Sequence, residues 1–399
     1  MYAPRIIKEM IYISTLSENI NRAILDFGGI KAALQNRGVT VADGTPTSEY
    51  AKLVAKIPSQ PIYGVSGLFD ESTELTRTDD AVSLGYSLNS ADGSVTSDFN
   101  SVFPWNEAEI ITNSEGKFIK MPRMFFRIGR DSSNRLTDAA VSKAPSFCGS
   151  WFEVKPFLYA CYGGSERSSR LVSVSSAQRK AYLTRADARV LCSNNGEGYC
   201  QLDLYHRTVM TLLFFIEFAT KKSDSIMSGR IMIENEAESP CLTGGTDLVS
   251  TPSGWNTQTG QMRYHYIEDF YGNLREFLDG VVFTGSNTGI YVTDNPSLFS
   301  DSAENLAQLA WNAPAQGYLA ALGWDNSHPF CCAPIQTTDR SNYTKYFCDE
   351  FCIQENKPAL LCGSVYDSRY ANYGLTHMYT LSALGKFENS GARLIKILE

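Results

Sequence analysis

FIKMPRMFFRIG, Phe118–Gly129, alternates apolar with polar or small residues along much of its length. That period of two reads as β-strand with one face turned to a core. Working outward, IYGVSGLF (Ile62–Phe69) and AVSLGYSL (Ala81–Leu88) have the same texture, and clusters of Asp, Ser, Asn and Gly separate them. Asp92 to Asn100 reads as a polar loop, and RLVSVSS (Arg170–Ser176) as a further β stretch. From Ser223 onward the chain has the look of short strands, aromatic-rich loops and turns, with no long helix.

Two stretches break this pattern. Thr184 followed by Asp187 has the spacing of a helix N-terminal capping box. After Asp203, LYHRTVMTLLFFIEFATKK (Leu204–Lys222) is apolar on nearly every side between Val209 and Phe218, which marks a helix buried in a core. No repeat of fixed period is present, so solenoids and propellers are set aside. The expected class is α+β: an irregular antiparallel β core carrying two helices.

The first sixty residues differ in texture. Ser17 is placed to cap a helix with Ile20, Ala23, Ile24 and Phe27 on one face, ending at Gly28-Gly29; Ile30 to Arg37 forms a second short turn that stops at Gly38. Thr45-Pro46 starts a third, striped by Tyr50, Leu53, Val54 and Ile57. Short one-faced helices need a partner surface, so this module is expected to dock or to oligomerise. The expected organisation is a helical module over 1–58, a β-rich connecting region over 59–150 and a third domain over 151–399.

Composition narrows the function. The 399 residues are 43% apolar and 12% aromatic, ample for a large core, and 35 basic against 43 acidic residues give a net charge of −8. That balance argues against gripping nucleic acid or anionic lipid. The N-terminal residues lack the apolar run of a signal peptide, and Met210 to Phe218, interrupted by Glu217, is too short to span a bilayer. A soluble chain made in the cytoplasm is expected, with its 10 cysteines reduced.

Motifs for chemistry are sparse. Cys331-Cys332, Cys348, Cys352 and Cys362, with His328 beside them, lie close in sequence but lack the paired C-x2-C spacing of a zinc knuckle, and read as buried thiols. Glu268, Asp269, Glu276 and Asp279 cluster in YHYIEDFYGNLREFLDG (Tyr264–Gly280), where Glu268 and Glu276 are placed to share a helical face; such carboxylates more commonly serve as caps, turn-formers or partners of arginine. His206 and His265 have no nucleophile motif beside them, phosphate-cradling glycine loops are missing, and no dense acidic loop calls for calcium. No cofactor is expected.

The tail stands apart. From Gly363 to Gly374, and on through Thr376 to Tyr379, tyrosines alternate with Asp, Ser, Arg, Asn and His among small residues. Tyrosine supplies rigid amphipathic contact area, and its polar neighbours supply adaptable hydrogen bonds, as in a paratope. The candidate ligand-binding residues are Tyr366, Asp367, Ser368, Arg369, Tyr370, Asn372, Tyr373, His377 and Tyr379.

Several stretches together resemble the formylglycine-generating-enzyme branch of the C-type lectin fold. Thr184–Ala188 before a long core helix, Asp269–Phe277 containing Gly-Asn-Leu-Arg-Glu-Phe, Leu361-Cys-Gly-Ser-Val365 and Gly391-Ala-Arg-Leu-Ile395 follow the order of that family's landmarks over Lys155 to Glu399. Arg275 stands where the family has tryptophan, Leu361-Cys362 where it has Arg-Gly, and Ala392 where it has phenylalanine. The family's enzymes carry two copper-binding cysteines just after the third landmark. Those positions fall here near Asp367 and Asn372, neither a thiolate, so the resemblance implies binding without catalysis.

The chain also resembles tail-associated proteins of bacteriophages, including those diversified by retroelements, at Ile30–Tyr50, Ile62–Ser66, Leu75–Ala81, Ser97–Phe99 with Pro104-Trp105, Phe118–Pro122 and Phe215–Lys221. This implies a virion tail-tip or tail-fibre adhesin assembled in the host cytoplasm, whose variable-type surface spans 364–390. Its implied partners are a host receptor, protein or glycan, and other phage tail proteins, with no membrane insertion; homotrimerisation and active diversification stay open. Two other readings stay open as well: a structural baseplate component, and a metal-dependent enzyme on the same fold.

Overall fold

The computed structural model describes residues 31, 40–46, 49, 60–146, 149–227, 229, 240–347, 349–363 and 374–398. The chain divides into two compact units, Met1–Gln60 and Pro61–Glu399. In the first, Lys31 is helical and forms an ion pair with Asp43, and the Thr45 hydroxyl donates to the Ala42 carbonyl at 2.8 Å. Apart from Lys31, Pro46 and Glu49, the helices expected over Ser17–Gly28, Ile30–Arg37 and Pro46–Ile57 lie outside the described residues.

The second unit is mostly β-sheet, with two α-helices among the described residues. FIKMPRMFFRIG forms strands, but two of them. Pro122, with no N–H to give to a ladder, separates Gly116–Met121 from Met124–Arg130, and the two enter different sheets. The first sheet runs, in spatial order, Thr76–Asp79, Ile62–Ser66, Leu136–Ser142, Met124–Arg130 and Trp151–Val154, all antiparallel. The second runs Tyr199–Gln201, Leu394–Ile397, Phe157–Ala160, Gly116–Met121 and Glu109–Asn113. A connection of two residues, Pro122-Arg123, thus ties both sheets to one continuous run.

Residues expected to form a bridge over 59–150 do not stand apart from those beyond 151. Gly116–Met121 pairs with Phe157–Ala160, and Ser94–Ser97 pairs with Ser253–Trp255. One buried cluster runs from Tyr63 through Phe126 and Phe214 to Ile395. Two local expectations are corrected. The first half of AVSLGYSL is a 3-10 turn, Asp80–Ser83, and only Tyr86–Asn89 is strand. The polar stretch from Asp92 to Asn100 holds a strand, Ser94–Ser97, because Val95 and Ser97 both turn inward while polar neighbours mask the alternation.

Helix α1, Arg185–Ser193, begins with the expected capping box: the Thr184 hydroxyl accepts from the Asp187 N–H, and the Asp187 carboxylate accepts from the Thr184 N–H, both at 3.0 Å. Helix α2, Leu204–Phe218, starts at Asp203, whose carboxylate accepts from the His206 N–H at 2.7 Å, and stops at Ala219 in the left-handed conformation. Of its residues only Tyr205 escapes burial, so α2 is enclosed on nearly every side. Each of its phenylalanines, Phe214, Phe215 and Phe218, withdraws a ring from water, worth about 1.5–3 kcal/mol apiece. Two of its polar side chains have partners in the core: His265 Nε2 lies 2.8 Å from Glu217 Oε2, and Arg207 donates to the carbonyls of Phe270 and Leu375 at 2.6 and 2.9 Å. No described helix is long and apolar enough to cross a membrane.

The third and largest sheet carries the candidate site. Its spatial order is Pro334–Thr338, Gly317–Leu322, Glu350–Cys352, Met378–Leu381, Ala359–Cys362, Arg275–Leu278 and Ser390–Gly391. Glu350–Cys352 runs parallel to Met378–Leu381, and Arg275–Leu278 parallel to Ser390–Gly391; the remaining pairs are antiparallel.

Candidate ligand-binding site

Strands Ala359–Cys362 and Met378–Leu381 are the stems from which the tyrosine-rich stretch springs. They pair antiparallel in the middle of the sheet, Cys362 opposite Met378 and Leu361 opposite Tyr379. Both stems are buried on one side by Leu360 and Thr380 and held between neighbouring strands, so their separation is set by the ladder and not by what lies between them.

Each end of the intervening stretch is closed by a glycine for its own physical reason. Gly363 has φ +81°, a backbone conformation that side chains rarely adopt, and its N–H donates to the His377 carbonyl at 3.1 Å. Gly374 has no room: a Cβ there would lie 2.1 Å from Ser223 Oγ. Beyond Gly374 the chain is held from three separate directions. The Asp349 carboxylate accepts from the Gly374 N–H, from the Thr376 N–H at 2.9 Å and from the Thr376 hydroxyl at 2.6 Å. Ser223 Oγ accepts from the Leu375 N–H at 2.9 Å, and Arg207 of α2 donates to the Leu375 carbonyl. Asp349 is itself pinned, its carbonyl accepting from Leu319 N–H at 2.8 Å. Burial, with the charge of Asp224 adding to it, pushes the Asp349 carboxyl up to about 7 against the hydrogen bonds that hold it down.

Of the nine expected ligand-binding residues, Tyr366, Asp367, Ser368, Arg369, Tyr370, Asn372 and Tyr373 lie outside the described residues. His377 is corrected: at 0% exposure it is a core residue, and burial together with the nearby Arg275 charge lowers its pKa well below the usual histidine value. A neutral, enclosed imidazole supports the surface and does not meet a ligand. Most of Leu375–Leu381 is buried likewise, so the variable-type surface expected over 364–390 is not continuous. Tyr379 is half-buried; its hydroxyl accepts from Gln354 Nε2 at 2.5 Å, and the Arg275 guanidinium lies over its ring at 4.7 Å. The arginine that stands in place of the expected tryptophan thus props a candidate contact residue.

The carboxylates from Glu268 to Asp279 lie on short strands and turns, not on a helix, which corrects the shared helical face expected for Glu268 and Glu276. Each has structural work. Glu268 accepts from the N–H groups of Gly244 and Thr246, both at 2.8 Å. Asp269 accepts from Asn273 Nδ2 at 2.7 Å and faces Arg179 at 3.5 Å, and burial raises both of these carboxyl pKa values. Glu276 receives Arg179 at 2.7 Å and Arg393 at 2.8 Å, and Asp279 pairs with Arg189. Of the cysteines read as buried thiols, Cys331, Cys332 and Cys362 are buried, Cys352 is half-buried and Cys348 lies outside the described residues; burial pushes the Cys362 thiol up to about 11 and Cys352 up to about 12. Among the described residues no group of three or more His, Cys, Asp or Glu side chains is placed to hold a metal ion.

The space between α2 and the stems, lined by Arg207, Thr208, Cys332, Cys362 and Thr376, amounts to about 20 Å³. That is room for a single water, so nothing larger enters behind the stems. Asp349, Ser223 and Arg207 are the residues that sequence reading missed. They come from three distant segments, and no local spacing marks them.

No family model matches the chain, and no curated protein matches it. Among solved structures, that of PvdO from Pseudomonas aeruginosa is similar at 12% identity, over 73% of this chain and 98% of that one, with a TM-score of 0.30.

Proposed function

We propose that the protein is a bacteriophage tail adhesin whose second unit has the formylglycine-generating-enzyme type of C-type lectin fold. On this reading the segment 364–373, with Tyr379 at its edge, meets a host-surface ligand, and the first unit attaches to other tail proteins or to sister subunits, as in a homotrimer. Support for the fold reading comes from three of the four landmark stretches. Gly272–Phe277, Leu361–Val365 and Gly391–Ile395 are far apart in sequence, yet Glu276 is the register partner of both Cys362 and Gly391, and Arg393 binds Glu276.

One observation carries the functional reading: a stretch of paratope-like composition is strung between two central strands whose ends are pinned independently of it. Such a scaffold tolerates side-chain change without backbone change, which is what a recognition surface, fixed or diversified by a retroelement, requires. Affinity comes from tyrosine anchors, and several copies on one virion turn weak contacts into firm attachment. No reaction is needed; on this reading the positions where the enzymes of the fold keep their copper cysteines fall near Asp367 and Asn372.

The test replaces 364–373 in the virion with a Gly/Ser segment of equal length. Intact particles that no longer adsorb to host cells are expected. Particles that fail to assemble would point instead to a baseplate component, and unchanged adsorption would remove the segment from recognition.

A further inference from the structure

The descending foot of the segment, Gly374–His377, is held more densely than a strand end requires. The backbone N–H groups of Gly374, Leu375 and Thr376 all end on side-chain oxygens, those of Asp349, Ser223 and Asp349 again, and the Leu375 carbonyl ends on Arg207. None of these partners is supplied by the segment itself. Asp349 is the centre: its carboxylate takes three donors from two residues of the foot, while its own carbonyl is tied to Leu319 of the 317–322 strand. In its ionised form the Asp349 carboxylate carries only acceptors and matches three donors, whereas an amide brings two N–H groups into the same space.

We propose that Asp349 is the positioning residue of the binding surface, a carboxylate latch that fixes where and in what direction the chain leaves residues 364–373, so that these can differ in sequence while their exit stays constant. This rests on the adhesin reading for its purpose, but the latch itself is a property of the free protein and is tested there. Asp349 touches no ligand; it acts through Gly374 and Thr376.

The experiment is amide hydrogen exchange on the full chain at pH 7, comparing wild type with D349N, alongside thermal melting and binding to whole cells of a susceptible host. The Gly374 and Thr376 amides are expected to exchange at least about tenfold faster in D349N. Amides of Leu394–Ile397 should keep their rates, the melting temperature should fall by no more than about 3 °C, and cell binding should weaken about tenfold. Unchanged exchange at Gly374 and Thr376 would overturn the proposal, as would faster exchange with full binding, or a melting temperature that falls together with protection across the whole sheet. T376V, which removes only the hydroxyl donor, keeps the question open to measurement if D349N does not fold: a local, smaller rise in exchange at residues 374–376 supports the latch, and a global one overturns it. If wild type does not bind the cells while the exchange pattern is as expected, the adhesin reading fails and the latch stands.

Discussion

Arg393 and Glu276 meet in the buried interior of the second unit, Nε 2.9 Å from one carboxylate oxygen and Nη2 2.8 Å from the other, across 117 residues of chain. Arg179 binds the same carboxylate at 2.7 Å and faces Asp269, so two guanidinium groups and two carboxylates balance one another out of water. Burial, the largest single influence, would lower the Arg393 pKa, but Glu276, Tyr159 and Asp269 together outweigh it and the pKa is raised. Arg393 also donates to the carbonyls of Ala160 and Glu268 at 2.9 and 2.7 Å, and so ties the 157–160 strand to the landmark region around Glu276.

Removing one partner of such a network leaves a buried charge and orphaned carbonyls. Arg393→Met is expected to destabilise the protein by about 3–5 kcal/mol in urea denaturation. Arg393→Lys should recover only part of that loss, because a single ammonium does not reproduce the fork on Glu276. Equal stability of R393M and wild type would show that the pair is dispensable.

Gly374 tests the close approach at the foot. A Cβ there meets Ser223 Oγ at 2.1 Å, so Gly374→Ala should cost about 1–3 kcal/mol. Adding Ser223→Gly should return a measurable part of it, because the clash partner is gone even though the Leu375 N–H loses its acceptor. A double variant no better than the sum of its singles would place the strain elsewhere.

The Asp349 carboxyl gives a pH signature. Its folded pKa, about 7, lies above the unfolded value of 3.8, so the folded state holds the proton more tightly. The group's contribution is therefore most favourable below about pH 4 and is lost as pH rises toward 7. Asp224 is the neighbouring charge that raises it further, and Asp349 in turn acts on Tyr271. D349N has no such dependence, so the melting temperature of D349N minus that of wild type should be more positive at pH 8 than at pH 5. A difference independent of pH would contradict the assignment.

Thiol accessibility provides a simple check of the core. Cys331, Cys332 and Cys362 are buried with raised pKa values. They should resist Ellman's reagent at pH 7.5 in the native protein and react on addition of guanidinium chloride. Rapid native labelling of Cys362, mapped by mass spectrometry, would place the 359–362 strand nearer solvent than described.

Local signals in the sequence were legible and distant ones were not. Thr184 with Asp187, and the unbroken apolar character of Val209–Phe218, identify both helices because capping and all-round burial are encoded within a few residues. Pro122 was visible, but its consequence, one run feeding two sheets, depends on partners elsewhere. The Ser94–Ser97 strand was hidden because burial of Val95 comes from the distant Ser253–Trp255 strand and not from a hydrophobic run. At the candidate site the two glycines and the tyrosines stand out in one short stretch. His377 sits in that same stretch and looks equally exposed, yet the fold encloses it completely. Asp349, 25 residues from Gly374, has a role only once the sheet brings the two together.

The most direct measurement of the central claim is binding of purified protein carrying Tyr366→Ala and Tyr370→Ala to host cells, set beside its melting curve. Loss of binding by more than about tenfold with a melting temperature within about 2 °C of wild type is expected, as for surface anchors. Undiminished binding, or an unfolded double variant, would contradict the account.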